Sequence, residues 1–442
     1  MSEGSLKIQT FMDTIANPVN KARVQVTLYD ENNMVTNIIE AITDESGIVT
    51  IEGIKTPPLE FSLNEYAKER PYGLCDVLVQ RNGYSDVLVQ GCQLFGDEEA
   101  IQPIRLGLEN RSISTSTQVD EIIIQPNRLY GDFPPKIPEE EEKSISAPTG
   151  QVVLSEVVIP ELITVHMGTP NNTSAKQYTV PYKDYIKNVA SSEIYSTWPS
   201  NAIRANVYAI ISFTLNRVYT EWYRGKGKDF TITNSTAYDH AFNYGRNIFK
   251  NISNIVDEIF STYMKRPGAK QPLFSQYCDG KNVKCPGWMT QWGSKYLADE
   301  GYTPYEILTY FYGNNLDLVR AREVKGIPIS YPGYPLKVGS RGTPVKDIQK
   351  YLNTISRNYP AIPKVSVDGI YGPRTRDAVK KFQEIFNVNV SGIVEYDTWY
   401  AISNVYVAVT EMAELRGVYG SSKNLRTFVP YNPIETISSI KY

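Results

Sequence analysis

Histidine is almost missing from this chain, with 2 residues in 442. A catalytic zinc site normally draws on two or three His ligands. His166, in the middle of an apolar run that reads as a strand, suits a structural role, so only His240 is left over. Cysteine is scarce as well, with 4 residues at 75, 92, 278 and 285, and no CxxC spacing occurs. The two close pairs fit disulfides or free thiols. No metal and no cofactor is expected. No stretch approaches 18 uninterrupted apolar residues, so no membrane span is expected. Met1–Lys7 has neither a basic n-region nor an apolar h-region, which argues against a Sec signal. The net charge of −3 argues against a nucleic-acid partner held by bulk electrostatics.

What the chain does have is tyrosine, 32 residues of it, and enough length for two to four domains. Residues 1–107 read as an all-β sandwich. Apolar runs alternate at Leu6–Phe11, Ala22–Tyr29, Val49–Ile54, Val77–Val79, Val87–Val89 and Ile101–Leu106, separated by turn signals such as Asp44–Gly47 and Asn82–Gly83. Residues 108–151 change character. A polar Ser/Thr run, the Pro-rich Phe133–Pro138 and the acidic Glu139–Glu142 read as an exposed linker open to proteolysis. Residues 152–330 form the largest unit, of α+β class. Its expected elements are a strand at Leu162–Met167, another at Tyr178–Val180, a helix opened by Pro181, a helix N-capped by Ser200, and helices over Ile248–Tyr263 and Tyr305–Tyr312. Residues 335–406 read as a small helical domain, in which Gly392–Trp399 is a shortened echo of Asp368–Gln383. Residues 407–442 read as a tail.

One carboxylate stands out in the middle unit. Tyr185, Ile186 and Val189 mark the apolar face of the helix after Pro181, and Glu193 falls in the same sector. A carboxylate there is costly unless paired or protonated, and that environment makes a general acid. Periodicity on its own favours the plainer reading, in which Glu193 ends the helix and turns to water.

Gly339 through Asp368–Gly–Ile–Tyr–Gly–Pro–Arg–Thr375 and Phe382–Gln383 to Trp399 closely resembles the type-1 peptidoglycan-binding domain. The resemblance implies binding of cell-wall glycan or stem peptide, with Asp368, Tyr371, Arg374 and Trp399 as its polar and aromatic binding candidates. Val180, Tyr185, Val189 and Glu193, then Trp198 and Ala202–Val207, then Trp288–Met–Thr–Gln–Trp–Gly–Ser294, resemble the motifs of the SpoIID family of lytic transglycosylases. The chain departs from that family at Ile211, where members carry Arg, and it lacks the full His and Cys set through which some members bind zinc. The β-region resembles transthyretin-like or carboxypeptidase-regulatory-like modules. The whole order resembles the spore cortex-lytic enzymes of anaerobic spore formers.

That resemblance implies a zymogen in the dormant spore, acting on cortex peptidoglycan. A subtilisin-like germination protease would cut it at Gln151–Val152. Glu193 is then the catalytic acid at the MurNAc–GlcNAc bond. Gln291 and Thr290 orient it or the sugar, and Trp198, Trp288 and Trp292 are sugar-stacking candidates, with core packing as the alternative for each Trp. Two other functions compete. An N-acetylmuramoyl-L-alanine amidase lacks the His ligands for zinc, and no His follows Cys278 as a Cys–His hydrolase of the common cell-wall type requires. A non-catalytic cortex-binding structural protein has no use for a buried Glu193.

Overall fold

The computed structural model describes residues 2–12, 18–108, 119–137, 157–283, 285–323, 331–332, 334–386 and 388–409. The alternating runs at the start become β1 (Ser2–Phe11), β2 (Arg23–Tyr29), β3 (Val35–Ile42), β4 (Ile48–Thr56), a short helix α1 (Glu60–Leu63), β5 (Gly73–Gln80), β6 (Asp86–Leu94) and β7 (Glu99–Arg105). They make two sheets, β7-β1-β4 and β3-β2-β5-β6, whose alternate residues Leu6, Ile8, Val24, Val26, Val77 and Val89 are fully buried. Strand β3 has no counterpart among the expected elements. It is an edge strand with Val35, Ile38 and Ile42 more than half exposed, so no inward-facing apolar set marks it.

The expected linker 108–151 is corrected over part of its length. Val119–Ile123 forms β8, which pairs in parallel with β6 from Asp86↔Val119 to Gln90↔Ile123. Residues 124–137 then run on against the middle domain. Strand β8 is held mainly through main-chain hydrogen bonds while most of its side chains face solvent, and composition does not report such a ladder. Gln151 and Val152 lie outside the described residues.

The middle domain follows as β9 (Val158–Ile159), β10 (Leu162–His166), β11 (Gln177–Pro181), α2 (Tyr182–Glu193), α3 (Ser200–Tyr219), β12 (Ile232–Thr233), β13 (Ile248–Phe249), α4 (Lys250–Ile259), β14 (Thr262–Lys265), β15 (Tyr277–Cys278), β16 (Met289–Thr290), α5 (Gln291–Asp299), α6 (Pro304–Tyr312), β17 (Asp317–Arg320) and β18 (Arg322–Glu323). Helix α3 is its axis, packed by α2, α4, α5 and α6. It is buried nearly all round, through Ile203, Val207, Ile210, Ile211 and Phe213 and through hydrogen-bonded polar residues such as Asn206 and Arg217, as a central helix must be. Ser200 is its first residue and not its cap; Pro199 takes the cap position. The helix expected from Ile248 starts at Lys250, because Ile248 and Phe249 instead pair with Ile101 and Ala100 of β7. One continuous apolar core thus serves both the β-region and the middle domain. Cys278 and Cys285 are disulfide-bonded, whereas Cys75 and Cys92 are free, buried and opposite one another across β5 and β6.

The C-terminal unit has a separate core built from α7 (Thr343–Ile355), α8 (Pro373–Ile385) and α9 (Tyr396–Val409). The echo is physical. Gln349 accepts from Gly369 N (2.8 Å) and donates to Thr375 Oγ1 (3.2 Å); Gln383 accepts from Gly392 N (2.8 Å) and donates to Thr398 Oγ1 (3.0 Å). Both glycines hold positive φ, 74° and 71°, which other residues rarely adopt. No helix among the described residues is long and apolar enough to cross a membrane.

Candidate functional site

Glu193 is the last residue of α2 and is fully buried, together with Tyr185, Ile186 and Val189 of the same face. The plainer expectation, a carboxylate turned to water, does not hold. Glu193 Oε1 accepts a 2.6 Å hydrogen bond from Ala241 N, and Oε2 lies 3.5 Å from Arg128 Nη1. The Arg128 side chain is 3% exposed. Arg128 comes from residues 124–137, not from the middle domain.

The same segment closes the end of α2. A helix leaves its last carbonyls without intrahelical donors. Here Asn127 Nδ2 donates to Ser191 O (3.3 Å) and Ile194 O (3.2 Å), and Arg128 N donates to Ser192 O (2.8 Å). The Arg128 guanidinium also meets the negative end of the helix dipole. Further along, Lys136 Nζ is buried and donates to Asp239 O (2.8 Å), with Tyr277 and Phe213 rings at 5.1 and 5.0 Å. Burial, aided by the Arg128 charge, lowers the Lys136 ammonium to about 7.

The loop that supplies Ala241 N is itself fixed. Asp239 accepts from Arg217 Nε (2.8 Å), Tyr223 Oη (2.6 Å), Thr233 N (2.9 Å) and Thr233 Oγ1 (2.7 Å). His240 Nδ1 sits 2.9 Å from Tyr185 Oη, and burial pushes His240 well below its usual range, so it stays neutral. Asn188 and Asn243 exchange hydrogen bonds between α2 and the loop. Tyr277 completes the wall, its ring carrying the Arg128 guanidinium at 5.8 Å.

The other expected site residues divide. Gln291 is buried and donates to the main-chain carbonyl of Glu193 (3.2 Å), not to its carboxylate; its Oε1 has no partner among the described residues. Thr290 is the N-cap of α5, accepting from Gly293 N. Trp198 and Trp292 pack on each other at 4.9 Å, and Trp198 Nε1 donates to Ser62 O of the β-region (3.0 Å). Trp288 is buried too. In this state none of the three indoles offers an open face. In the C-terminal unit Tyr371 is core, donating to Gly392 O, and Trp399 is core. Asp368 is exposed but ties its own turn by accepting from Gln349 Nε2 and Ile370 N. Arg374 is exposed. His166 stacks on Phe230 away from any acidic or Cys cluster, and no metal-ligating group occurs among the described residues.

Sequence reasoning missed Arg128, Lys136, Asp239, Arg217 and Tyr277. The Pro126–Asn127 pair is the one local signal of a change of direction, and the chain does turn there, with Tyr130 N donating to Asn127 O (3.0 Å). The partners lie far away in sequence, and no local pattern joins them.

Residues 341–402 match the family described as "Putative peptidoglycan binding domain". No curated protein matches the sequence. Among solved structures, the mercury-inhibited catechol 1,2-dioxygenase of Acinetobacter sp. ADP1 is 12% identical at a TM-score of 0.17, covering 26% of this chain and 58% of its own. The minor pilin GBS52 of Streptococcus agalactiae is 14% identical at a TM-score of 0.16, covering 26% and 48%. The chain thus spans less than two thirds of these structures. What the family match supports is a peptidoglycan-associated protein that carries a type-1 peptidoglycan-binding domain at residues 341–402.

Proposed function

We propose that this protein is the zymogen of a spore cortex-lytic enzyme, a SpoIID-like lytic transglycosylase of the SleC type, with Glu193 as its acid and base. The observation that carries the reading is Glu193 itself. A fully buried carboxylate sits at the end of an amphipathic helix, on its buried face, and its counter-charge comes from outside the middle domain. The chain also carries a peptidoglycan-binding domain, which would hold the middle domain on its polymer.

In the reaction Glu193 donates its proton to the glycosidic oxygen between N-acetylmuramic acid and N-acetylglucosamine. The C1–O bond breaks, the muramic C6 hydroxyl oxygen bonds to C1, and the hydroxyl proton returns to Glu193. One carboxylate serves both steps, and the product ends in a 1,6-anhydro sugar with no water consumed. Gln291 steadies the main chain of Glu193, and the Tyr277 ring offers a sugar a stacking face once the guanidinium leaves. The site acts in the spore cortex, after a subtilisin-like protease cuts at Gln151–Val152.

Mass spectrometry of digested cortex tests the reaction. Anhydro-muramic ends are expected from protein that has been cut and freed of its N-terminal piece; reducing ends or freed stem peptides in their place refute it and favour a hydrolase or an amidase. Glu193→Gln should abolish lysis and leave sacculus binding intact. A structural interdomain ion pair, the non-catalytic reading, predicts no lysis from the wild type in any form.

A further inference from the structure

We propose that residues 124–137 are a plug seated on the Glu193 site, and that residues 2–137 stay bound as a separate chain after the connection to the middle domain is cut. Calling the plug an inhibitor rests on the reading of Glu193 as the acting residue; its masking of Glu193 and its retention do not.

The plug takes up the polar groups around Glu193 and the ring faces beside it. Arg128 takes one oxygen of Glu193 while Ala241 N takes the other. Asn127 and Arg128 take the carbonyls at the end of α2. Lys136 fills the space between the Tyr277 and Phe213 rings, and Ile137 N donates to Ala237 O (2.7 Å). These contacts all come from residues on the N-terminal side of Gln151. A cut there frees the plug to leave but breaks none of them.

Retention follows from the surface behind the plug. Strand β13 is hydrogen-bonded to β7 and extends a sheet of the β-region. Asn247 and Gln93 exchange two hydrogen bonds (3.1 and 2.8 Å), Gln102 Nε2 donates to Gly245 O (2.8 Å), and Trp198 donates to Ser62 O. Phe95 packs on Phe249 and Tyr195 inside the shared core. A sheet and a core that run through both pieces do not part because one distant peptide bond is broken. Cutting is therefore the first of two steps, and release of the N-terminal piece is the second.

The test places a specific protease site within residues 139–150 of the full chain. After cutting, native size-exclusion chromatography should show both fragments in one peak, and carbodiimide labelling of Glu193, read by peptide mass spectrometry, should match the uncut chain. Separation of the fragments on cutting alone overturns retention. In the uncut chain, Arg128→Ala with Lys136→Ala should raise Glu193 labelling at least tenfold, while the charge-keeping Arg128→Lys with Lys136→Arg should stay within threefold of wild type. Equal labelling in the Ala pair and the wild type overturns the plug. The fragment experiment leaves every residue of residues 2–137 and of the middle domain unchanged, so it does not depend on the Arg128 and Lys136 variants folding. Labelling that rises without lysis of sacculi supports the plug and refutes the transglycosylase.

Discussion

Arg128 and Glu193 face each other at 3.5 Å with side chains 3% and 0% exposed, one from the segment that follows the β-region and the other from the last residue of α2 in the middle domain. A pair this deep repays desolvation only while both members are present. It acts less as a source of stability than as a lock that fits one arrangement of two parts of the chain.

Arg128→Ala should therefore cost up to about 3–5 kcal/mol of the docked state, because Glu193 is left buried without its ion-pair partner. Glu193→Gln should cost a similar amount by stranding Arg128. A urea titration of the double variant Arg128→Ala/Glu193→Gln should show a loss at least 1 kcal/mol smaller than the sum of the singles. Simple additivity would mean that the two groups do not interact.

The seam should respond to pH in two directions. Lys136 falls from 10.5 in the free chain to about 7 when docked. Between those values the undocked chain holds the extra proton, so docking strengthens as pH rises from about 7 towards 10.5. Glu98, whose Oε1 accepts from Asn251 of the middle domain, is raised by burial from 4.5 to about 7. There the docked chain holds the extra proton, so its contribution is full below 4.5 and is lost as pH rises through 7. Melting temperatures from pH 5 to 10 should pass through a minimum near neutrality. Lys136→Met should flatten the alkaline limb and Glu98→Gln the acid one.

Asp239→Asn should destabilise the middle domain by several kcal/mol, since its carboxylate accepts from Arg217, Tyr223 and Thr233 within the core. The same change should loosen the loop that carries Ala241 N. Hydrogen exchange at Ala241 is the measurement, and faster exchange than in wild type is the expected result.

In the C-terminal unit stability and binding should separate. Gln349→Ala and Gln383→Ala each unmake a buried amide's bonds to a turn, at about 1–3 kcal/mol, visible in thermal denaturation. Tyr371→Phe should cost about 1 kcal/mol through the lost bond to Gly392 O. Arg374→Ala should leave melting unchanged and weaken pull-down by sacculi.

Much of this was readable in advance. The inward alternation of β1, β2 and β5 and the 3.6-residue period of α2 and α8 are local, and local periodicity survives folding wherever one face is buried. Glu193 on the apolar face of α2 was legible for the same reason. Edge strand β3 and strand β8 were not, since their stability comes from main-chain pairing and not from a buried side-chain set. Tyr371 and Trp399, read as binding residues from their motif, proved to be core, because a small domain spends its large aromatics on its own interior.

The sequence by itself determined the kinds of element, the C-terminal domain and the odd placement of one carboxylate, all of which depend on neighbours within a few turns of chain. Only the tertiary structure decided what answers that carboxylate. Arg128, Ala241 and Tyr277 converge on Glu193 from three distant stretches, and a supposed linker became the piece that covers it. Charge pairing across a shared core depends on which surfaces meet, and no periodicity along the chain records that.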